Sequence, residues 1–189
     1  PGETTENSVR WALEAGYHKI DTASFYENEE GVGKGIKASG VPREEIFITT
    51  KVWPTEMGYE STLEAFDRSR KKLGIDVLDL YLVHWPDKQK YLDTWKALEK
   101  LYADGKIRAI GLSNFEPHHI DKLKAQAEVA PVLNQVELHP YLNQKEVRDH
   151  CAKNDIVVEA WSPIAKGKVV DDPVIQEIAK AHGKNPVQV

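Results

Sequence analysis

Strand-like and helix-like segments alternate along the whole chain, and this alternation limits the possible folds more than any other feature of the sequence. Runs rich in apolar and β-branched residues predict six strands, at residues 19–23, 46–53, 77–84, 107–112, 131–138 and 156–161. Apolar residues at helical spacing predict seven helices, at residues 3–15, 28–39, 61–74, 91–102, 117–127, 144–153 and 173–181. Strict alternation of this kind produces parallel strands joined by right-handed crossovers.

Polar and aromatic residues lie at or just past the carboxyl end of each predicted strand: Asp21, Lys51, His84, Ser113 with Asn114, Gln135, and Trp161. An open doubly wound sheet collects its ligands where the strand order reverses, so only some strands contribute to the site. In a barrel, every strand end faces one common mouth. We therefore predict an α/β fold, a (β/α)8 TIM barrel, in a single domain over residues 1–189, since no Ser/Gly-rich linker interrupts the alternation.

The number of predicted strands does not close such a barrel. Six strands are found, whereas an eight-stranded barrel needs about 250 residues. The chain starts with a helix and stops at residues 185–189, where Asn185-Pro186 has the form of a helix start that no helix follows. We therefore expect a partial barrel that lacks a first strand at one end and a last strand-helix unit at the other. A naturally smaller barrel is the alternative.

Asp21, Tyr26, Lys51 and His84 are predicted to meet at the mouth as a proton-transfer site. Reduction of a carbonyl requires a hydride on carbon and a proton on oxygen, and a free tyrosine, with a pKa of about 10, gives up its proton poorly near neutral pH. A nearby ammonium lowers that pKa. We expect Lys51 to supply the ammonium and Asp21 to hold Lys51 charged and oriented. His84 is expected to donate a hydrogen bond to the substrate oxygen.

Six segments, in order and at plausible spacing, resemble the signature motifs of the aldo-keto reductase family: residues 16–29, 48–53, 82–86, 110–115, 134–140 and 160–163. The chain is most similar to the prokaryotic branch that reduces small aldehydes and diketo-sugars. The resemblance implies an NADPH-dependent oxidoreductase of the alcohol dehydrogenase (NADP+) type, which reduces small aldehydes or ketones to alcohols. It also implies that Tyr26 is the proton donor.

Each of the four candidate catalytic residues also has an ordinary structural explanation. An aspartate at a strand end usually caps a turn or helix, and a lysine there is usually solvated. A histidine in an apolar strand usually packs in the core. All four together, within the motifs of one family, favour the functional interpretation.

Five residues near the later strand ends are predicted to bind the cofactor, NADP(H). Asn114 and Gln135 supply the donors and acceptors that a nicotinamide carboxamide needs, and Ser113 extends them. Trp161 offers a flat face against which the nicotinamide ring can stack, and Ser162 follows in the loop where a pyrophosphate would lie. Packing at the barrel rim is the alternative role of Trp161.

Phe25, Trp53 and Trp85 are predicted to wall an apolar substrate pocket, although plain rim packing explains them nearly as well. The family segment that holds the adenosine 2′-phosphate has no counterpart in these residues. The sequence therefore leaves the preference between NADPH and NADH open.

Composition excludes several other classes of function. A formal net charge of −5 without a block of lysine or arginine argues against a nucleic-acid partner. A single cysteine, Cys151, excludes an internal disulfide and suits a reducing compartment such as the cytoplasm. No apolar run approaches transmembrane length, and the histidines match no metal-ligand spacing, so we expect neither a membrane partner nor a metal. When full length, the protein is expected to be a monomer.

Two rival functions use the same fold. A lyase of the aldolase type would form a Schiff base on Lys51, but Tyr26, Asn114, Gln135 and Trp161 would then have no task. A non-catalytic, cofactor-sensing subunit would keep the fold for protein binding. The intact set of four catalytic residues argues against that second alternative.

Overall fold

A computed structural model of the protein describes residues 2–87 and 89–189, and within them six strands alternate with seven α-helices. The strands are β1 (Lys19–Asp21), β2 (Phe47–Val52), β3 (Leu78–Val83), β4 (Ile107–Ser113), β5 (Leu133–Glu137) and β6 (Val157–Trp161). The helices are α1 (Gly2–Glu14), α2 (Glu29–Ser39), α3 (Tyr59–Leu73), α4 (Tyr91–Ala103), α5 (Pro117–Lys124), α6 (Lys145–Lys153) and α7 (Pro173–Ala181). Short 3-10 turns cover Ser24–Tyr26, Arg43–Glu45, Pro54–Glu56, Ala165–Asp171 and Pro186–Gln188.

The six strands form one sheet in which they follow chain order, and every neighbouring pair is parallel. A doubly wound sheet would reverse its strand order at some point, and this sheet does not. The predicted parallel α/β architecture is therefore confirmed, and the doubly wound alternative is excluded.

Contacts between distant strands show that the sheet curls. Strands about 4.8 Å apart would separate β1 from β6 by about 24 Å in a flat sheet. Lys19 on β1 nonetheless forms an ion pair with Glu159 on β6. Asp21 on β1 accepts a hydrogen bond of 2.8 Å from Gln135 on β5. The sheet is therefore bent into an incomplete barrel, with these polar side chains on its concave face.

Helices α1 to α6 pack on the convex side of this sheet around one continuous apolar core, whereas Ile175 of α7 joins Ala165 and Val169 in a separate small cluster. All six residues of β3 are buried, as a strand covered on both faces requires. Phe66 of α3 packs edge-on against Tyr81 of β3, with ring centroids 5.5 Å apart. The indole of Trp95 on α4 is buried and donates a hydrogen bond of 3.1 Å to the carbonyl of Val129.

The amino ends of β2, β3 and β4 are fastened together by a buried carboxylate. Asp79 is 1% exposed and accepts hydrogen bonds or ion pairs from the Arg43 side chain, the Arg108 side chain and the backbone N–H of Ile48. A buried carboxylate needs partners of this kind to offset its desolvation. This cluster lies at the end of the barrel opposite the mouth.

The observed helix and strand limits differ from the predicted ones by up to three residues, and the start of α3 has an identifiable cause. The sequence pattern that starts at Ser61 predicts a capping box there, but the helix begins at Tyr59, with Gly58 as its N-cap at a φ of 120°. The N–H of Gly58 donates to the hydroxyl of Thr94 on α4, so a contact distant in sequence fixes this helix start. Ser61 instead donates to the carbonyl of Met57, inside the helix. The predicted helix start at Ser61 is wrong.

A glycine-rich stretch, Gly31-Val32-Gly33-Lys34-Gly35, superficially imitates a dinucleotide-binding loop but lies inside α2. A Cβ added at Gly33 would come within 2.5 Å of the backbone oxygen of Leu73. A Cβ at Gly35 would come within 2.6 Å of the backbone oxygen of Glu6. These glycines therefore permit close packing of α2 against α1 and the end of α3.

Helices within residues 2–87 and 89–189 are too short or too polar to cross a bilayer. Over the same residues, no group of three or more His, Cys, Asp or Glu side chains is placed to hold a metal ion.

Candidate active site

A cavity of about 480 Å³ opens at the carboxyl ends of the strands. It is lined by Phe25, Tyr26, Trp53, His84, Trp85, Ser113, Asn114, Gln135, Trp161 and Ser162. The sequence predicted all of these as site residues. The two predicted site residues absent from the lining, Asp21 and Lys51, contact its members from below. The structure thus brings the predicted set together at one mouth.

A larger cavity, of about 790 Å³, lies at the opposite end of the sheet near the ends of α2 and α3. Arg43 and Arg108, which line it, already pair with Asp79. It has no aromatic, histidine, serine or cysteine side chain among its lining residues. The smaller cavity at the mouth is therefore the better candidate for catalysis.

Lys51 is a buried ammonium held by two oxygens. Its side chain points into the barrel from β2 and is 1% exposed. Its Nζ donates to Asp21 Oδ1 at 2.5 Å and to the carbonyl of Thr22 at 3.0 Å. A buried ammonium without such partners would be strongly destabilising, so Asp21 holds the charge of Lys51 in place.

Tyr26 projects into the mouth from the 3-10 turn that follows β1. The side chain is 47% exposed, and Lys51 Nζ lies 5.3 Å from the centroid of its ring. Partial burial raises the pKa of Tyr26, and the charge of Asp21 raises it further. The net shift is therefore opposite to the lowered pKa that was expected, because partial burial and then the Asp21 carboxylate favour the neutral phenol.

His84 stands edge-on to Tyr26, with ring centroids 5.9 Å apart and an interplanar angle of 87°. It is 7% exposed, and burial, together with the charge of Lys51, lowers its pKa to about 4. The imidazole is therefore neutral near pH 7. Its Nδ1 is buried and finds no hydrogen-bond partner in the described part of the chain. A buried N–H without an acceptor is costly, so we assign the ring hydrogen to Nε2.

The side chain of Asn114 joins the ends of β3, β4 and β6. It adopts a φ of 62°, and its Nδ2 donates to the carbonyl of His84 at 3.0 Å and to Ser113 Oγ at 3.1 Å. Its Oδ1 accepts a hydrogen bond of 2.9 Å from the indole Nε1 of Trp161 on β6. Asn114 thus fixes the edge of Trp161 and leaves the ring face beside the cavity.

Gln135 also has its amide nitrogen occupied by protein partners. Nε2 donates to Asp21 Oδ2 at 2.8 Å and to Glu159 Oε1 at 2.6 Å. Its Oε1 makes no hydrogen bond within residues 2–87 and 89–189. That oxygen is therefore an acceptor available at the cavity.

These side chains fit a nicotinamide ring and its carboxamide. Gln135 Oε1 is an acceptor for an amide N–H, and the face of Trp161 is a surface for stacking. Ser113 Oγ donates to the carbonyl of Gln135 at 2.9 Å, which keeps the hydroxyl at the same rim. Ser162, the residue after Trp161, adopts a φ of 51°. This backbone conformation is uncommon for serine and frequent at ligand sites.

Aromatic side chains make up the opposite wall. Phe25 and Trp53 stack with centroids 3.9 Å apart and an interplanar angle of 18°. Trp53 also packs edge-on against His84, at 5.0 Å, and Trp85 is 42% exposed at the rim. The apolar side of the cavity therefore lies directly beside the Tyr26 and His84 side chains.

Two side chains of this region were not predicted from the sequence. Glu159 binds Gln135, and Lys19 pairs with Glu159. The sequence does contain a signal that could identify Glu159. This residue lies two positions before Trp161 on β6, and the alternation of side chains along a strand places both on one face.

Comparison with known proteins agrees with this site. The sequence profile of the Aldo/keto reductase family matches residues 2–189. The chain is 56% identical over 191 residues to 9,11-endoperoxide prostaglandin H2 reductase of Trypanosoma cruzi and 57% identical over 188 residues to glyoxal reductase of Bacillus subtilis. Each of these alignments covers 100% of this chain and 68% of the relative. An aldo/keto reductase crystal structure from Brucella melitensis matches with a TM-score of 0.94 and 49% identity, over 98% of this chain and 72% of that one.

Matching structures also include a Gox0644 mutant in complex with NADPH, at 44% identity, and a Bombyx mori aldo-keto reductase in complex with NADP, at 37% identity. The predictions of an oxidoreductase, a barrel fold and NADP(H) as cofactor are therefore confirmed. With its motifs, its parallel barrel strands and a family match over nearly every residue, this chain belongs to the aldo/keto reductase family of NADP(H)-dependent oxidoreductases.

Proposed function

We propose that this protein reduces small aldehydes or ketones to alcohols, with Tyr26 as the proton donor and Lys51, Asp21 and His84 assisting it. The observation that carries the proposal is the grouping of a half-buried phenol, a buried ion pair and a neutral imidazole around one cavity. The relative named glyoxal reductase supports a small carbonyl substrate.

Tyr26 carries a proton near neutral pH, and because its raised pKa makes the phenol a weaker acid, proton transfer depends on a charge that stabilises the phenolate. The bound NADPH supplies a hydride to the carbonyl carbon. As negative charge develops on the carbonyl oxygen, the Tyr26 hydroxyl delivers its proton there. The ammonium of Lys51, 5.3 Å from the ring centroid, then stabilises the phenolate that remains.

His84 orients the carbonyl and does not titrate in this role. Its pKa of about 4 keeps the ring neutral, and Nε2–H is the donor left to face the cavity. A neutral donor polarises the carbonyl without competing with Tyr26 for proton transfer. Asp21 acts one step further away, because it holds Lys51 charged beneath the phenol.

The remaining predicted residues divide between cofactor and substrate. Ser113, Asn114, Gln135 and Trp161 would hold the nicotinamide, and Ser162 would contact the pyrophosphate. Phe25, Trp53 and Trp85 would form the substrate wall. A cavity of about 480 Å³ has the size of an ordinary small-ligand site.

The lyase alternative has little structural support. A Schiff base requires an accessible neutral amine, whereas Lys51 is 1% exposed and bound to a carboxylate. Cytoplasmic location, a monomeric state when full length and a single domain over residues 1–189 remain our predictions.

The test is Tyr26→Phe, assayed by NADPH oxidation with glyoxal as substrate. We expect kcat to fall by at least about 10²-fold, because general acid catalysis is lost, while the NADPH dissociation constant changes by less than about twofold. Tyr17→Phe, at an exposed tyrosine outside the cavity, is the matched control and should keep parental turnover. Near-normal turnover of Tyr26→Phe would remove Tyr26 from the mechanism, whereas a parent protein that binds NADPH without turnover would favour the cofactor-sensing role.

A further inference from the structure

We propose that Glu159 is a positioning residue: it fixes the amide orientation of Gln135 and, by pairing with Lys19, keeps that second ammonium away from Asp21. Neither Glu159 nor Lys19 has a task in the reaction described above. The inference rests on the proposed function, because it concerns how the same site is held in its working arrangement.

Five side chains form one continuous series of polar contacts across the concave face of the sheet. Asp21 Oδ1 accepts from Lys51 Nζ, and Asp21 Oδ2 accepts from Gln135 Nε2 at 2.8 Å. The same Gln135 nitrogen donates to Glu159 Oε1 at 2.6 Å, and Glu159 Oε2 pairs with Lys19. Each carboxylate therefore receives one ammonium and one amide hydrogen. The series begins and ends with an ammonium, and the neutral amide of Gln135 separates its two carboxylates.

The two carboxylates decide which way the Gln135 amide points. An ionised carboxylate can only accept hydrogen bonds, and the amide NH2 group is the part of Gln135 that can donate two. A reversed amide would place Oε1 between Asp21 and Glu159, where three acceptors would face one another. Gln135 must therefore direct Nε2 inward and leave Oε1 for a cofactor N–H. Without Glu159, Asp21 alone would hold this orientation.

Glu159 also occupies Lys19. Lys19 and Asp21 are two residues apart on β1, so their side chains lie on the same face with Cα atoms about 6.6 Å apart. A lysine released from Glu159 can reach Asp21 and compete with Lys51 for it. Glu159 thus protects the Asp21–Lys51 pair although it does not touch Lys51.

Three variants separate this role from a general contribution to folding. Glu159→Gln is expected to raise the NADPH dissociation constant about tenfold and to lower kcat, because an amide at position 159 can donate as well as accept and so no longer fixes the Gln135 amide, and because Lys19 is released. In Lys19→Met/Glu159→Gln no ammonium is left to compete for Asp21, so about half of the loss, on a logarithmic scale, should be recovered. Glu30→Gln removes an exposed carboxylate paired with Lys34 at 2.9 Å and is the matched control, with binding and turnover within about twofold of the parent.

The dissociation constant is read from quenching of tryptophan fluorescence by NADPH, and kcat from oxidation of NADPH with glyoxal. Parental binding by Glu159→Gln overturns the proposal, and so does a double variant as impaired as the single one. If Glu159→Gln does not fold, the Lys19→Met variant decides. Glu159 still holds Gln135 in that variant, so the NADPH dissociation constant should stay within about threefold of the parental value. A tenfold increase is the contrary result. A failure of the proposed reaction would be seen in a different experiment, as retained turnover of the Tyr26→Phe variant.

Discussion

The middle of the sheet and its last strands hold their functional side chains in different ways. Every residue of β3 is buried, and so is every residue of β2 except Phe47. All residues of β6, by contrast, are at least partly exposed. Lys51 and His84 therefore take their positions from a packed core. Gln135 and Trp161 depend instead on hydrogen bonds to neighbouring side chains.

This difference follows the two tasks of the site. Proton transfer needs groups whose pKa is set by burial and by a fixed charge, and the middle strands provide both. A cofactor must enter and leave, and among its predicted contacts Trp161 and Ser162 keep some access to solvent, whereas Ser113 and Gln135 are buried. Substitutions in the middle strands should change the chemical step and stability together. Substitutions on β5 and β6 should mainly change cofactor affinity.

Lys51→Met tests the middle strands most severely. It removes the ammonium beneath Tyr26 and leaves Asp21 without its ionic partner. We expect kcat to fall by at least about 10³-fold and the free energy of unfolding to fall by about 2 kcal/mol, a modest cost because Asp21 is 33% exposed. Activity assays and urea unfolding measure the two effects. Lys145→Met, which breaks an exposed ion pair with Asp149, is the control. Parental turnover of Lys51→Met would contradict the conclusion that the middle strands control the chemical step.

The central strands are also the part of the fold that the sequence predicts best. Strand and helix periods are local signals, so the alternation and the strand ends at Asp21, Lys51 and His84 can be found without a structure. Properties that depend on residues distant in sequence cannot be found in this way. The pKa of Tyr26 depends on where Asp21 lies relative to the ring, and the sequence predicted the opposite direction for it.

The role of Glu159 shows the same limit. Its partners Gln135 and Lys19 are 24 and 140 residues away, and their contacts arise from the curl of the sheet. The predicted start of α3 was wrong for a related reason. Thr94, 36 residues after Gly58, accepts a hydrogen bond from the N–H of that glycine, which is the N-cap of α3. Local patterns identify such residues only as polar positions on a strand or turn.

His84 gives the middle of the sheet a pH-dependent stability. Its folded-state pKa of about 4 lies below the ordinary value of 6.5, so the unfolded chain binds this proton more readily. The contribution is complete above about pH 6.5 and is lost progressively as pH falls towards 4, by roughly 3 kcal/mol in all. Unfolding in urea at pH 7 and pH 4.5 should show His84→Gln to be less acid-sensitive than the parent. The exposed His182→Gln serves as control, and equal acid sensitivity of His84→Gln and parent would be the contrary outcome.

Asp21→Asn should affect both regions, because Asp21 binds Lys51 of β2 and Gln135 of β5. Reduction requires protonated Tyr26, so the rate falls as pH rises through the pKa of that phenol. The charge of Asp21 raises this pKa, and its removal should therefore move the basic limb of the kcat profile to lower pH, by less than about one unit. We expect kcat to fall about tenfold, less than in Tyr26→Phe, since Asp21 acts through Lys51. A limb that moves to higher pH would show that Lys51 controls the phenol after all.

Trp161→Phe should have the smallest effect and the one most specific to the outer strands. Phenylalanine keeps an aromatic face beside the cavity but cannot donate the 2.9 Å hydrogen bond from Nε1 to Asn114 Oδ1. Because a hydrogen bond of this kind contributes about 1 kcal/mol, we expect NADPH to bind about fivefold more weakly, with kcat at saturating cofactor within about twofold of the parent. Trp11→Phe, at an exposed position on α1, is the control for loss of indole fluorescence in the titration. A large loss of kcat with unchanged binding would mean that β6 contributes to the chemical step, and the division of tasks between the two regions would then fail.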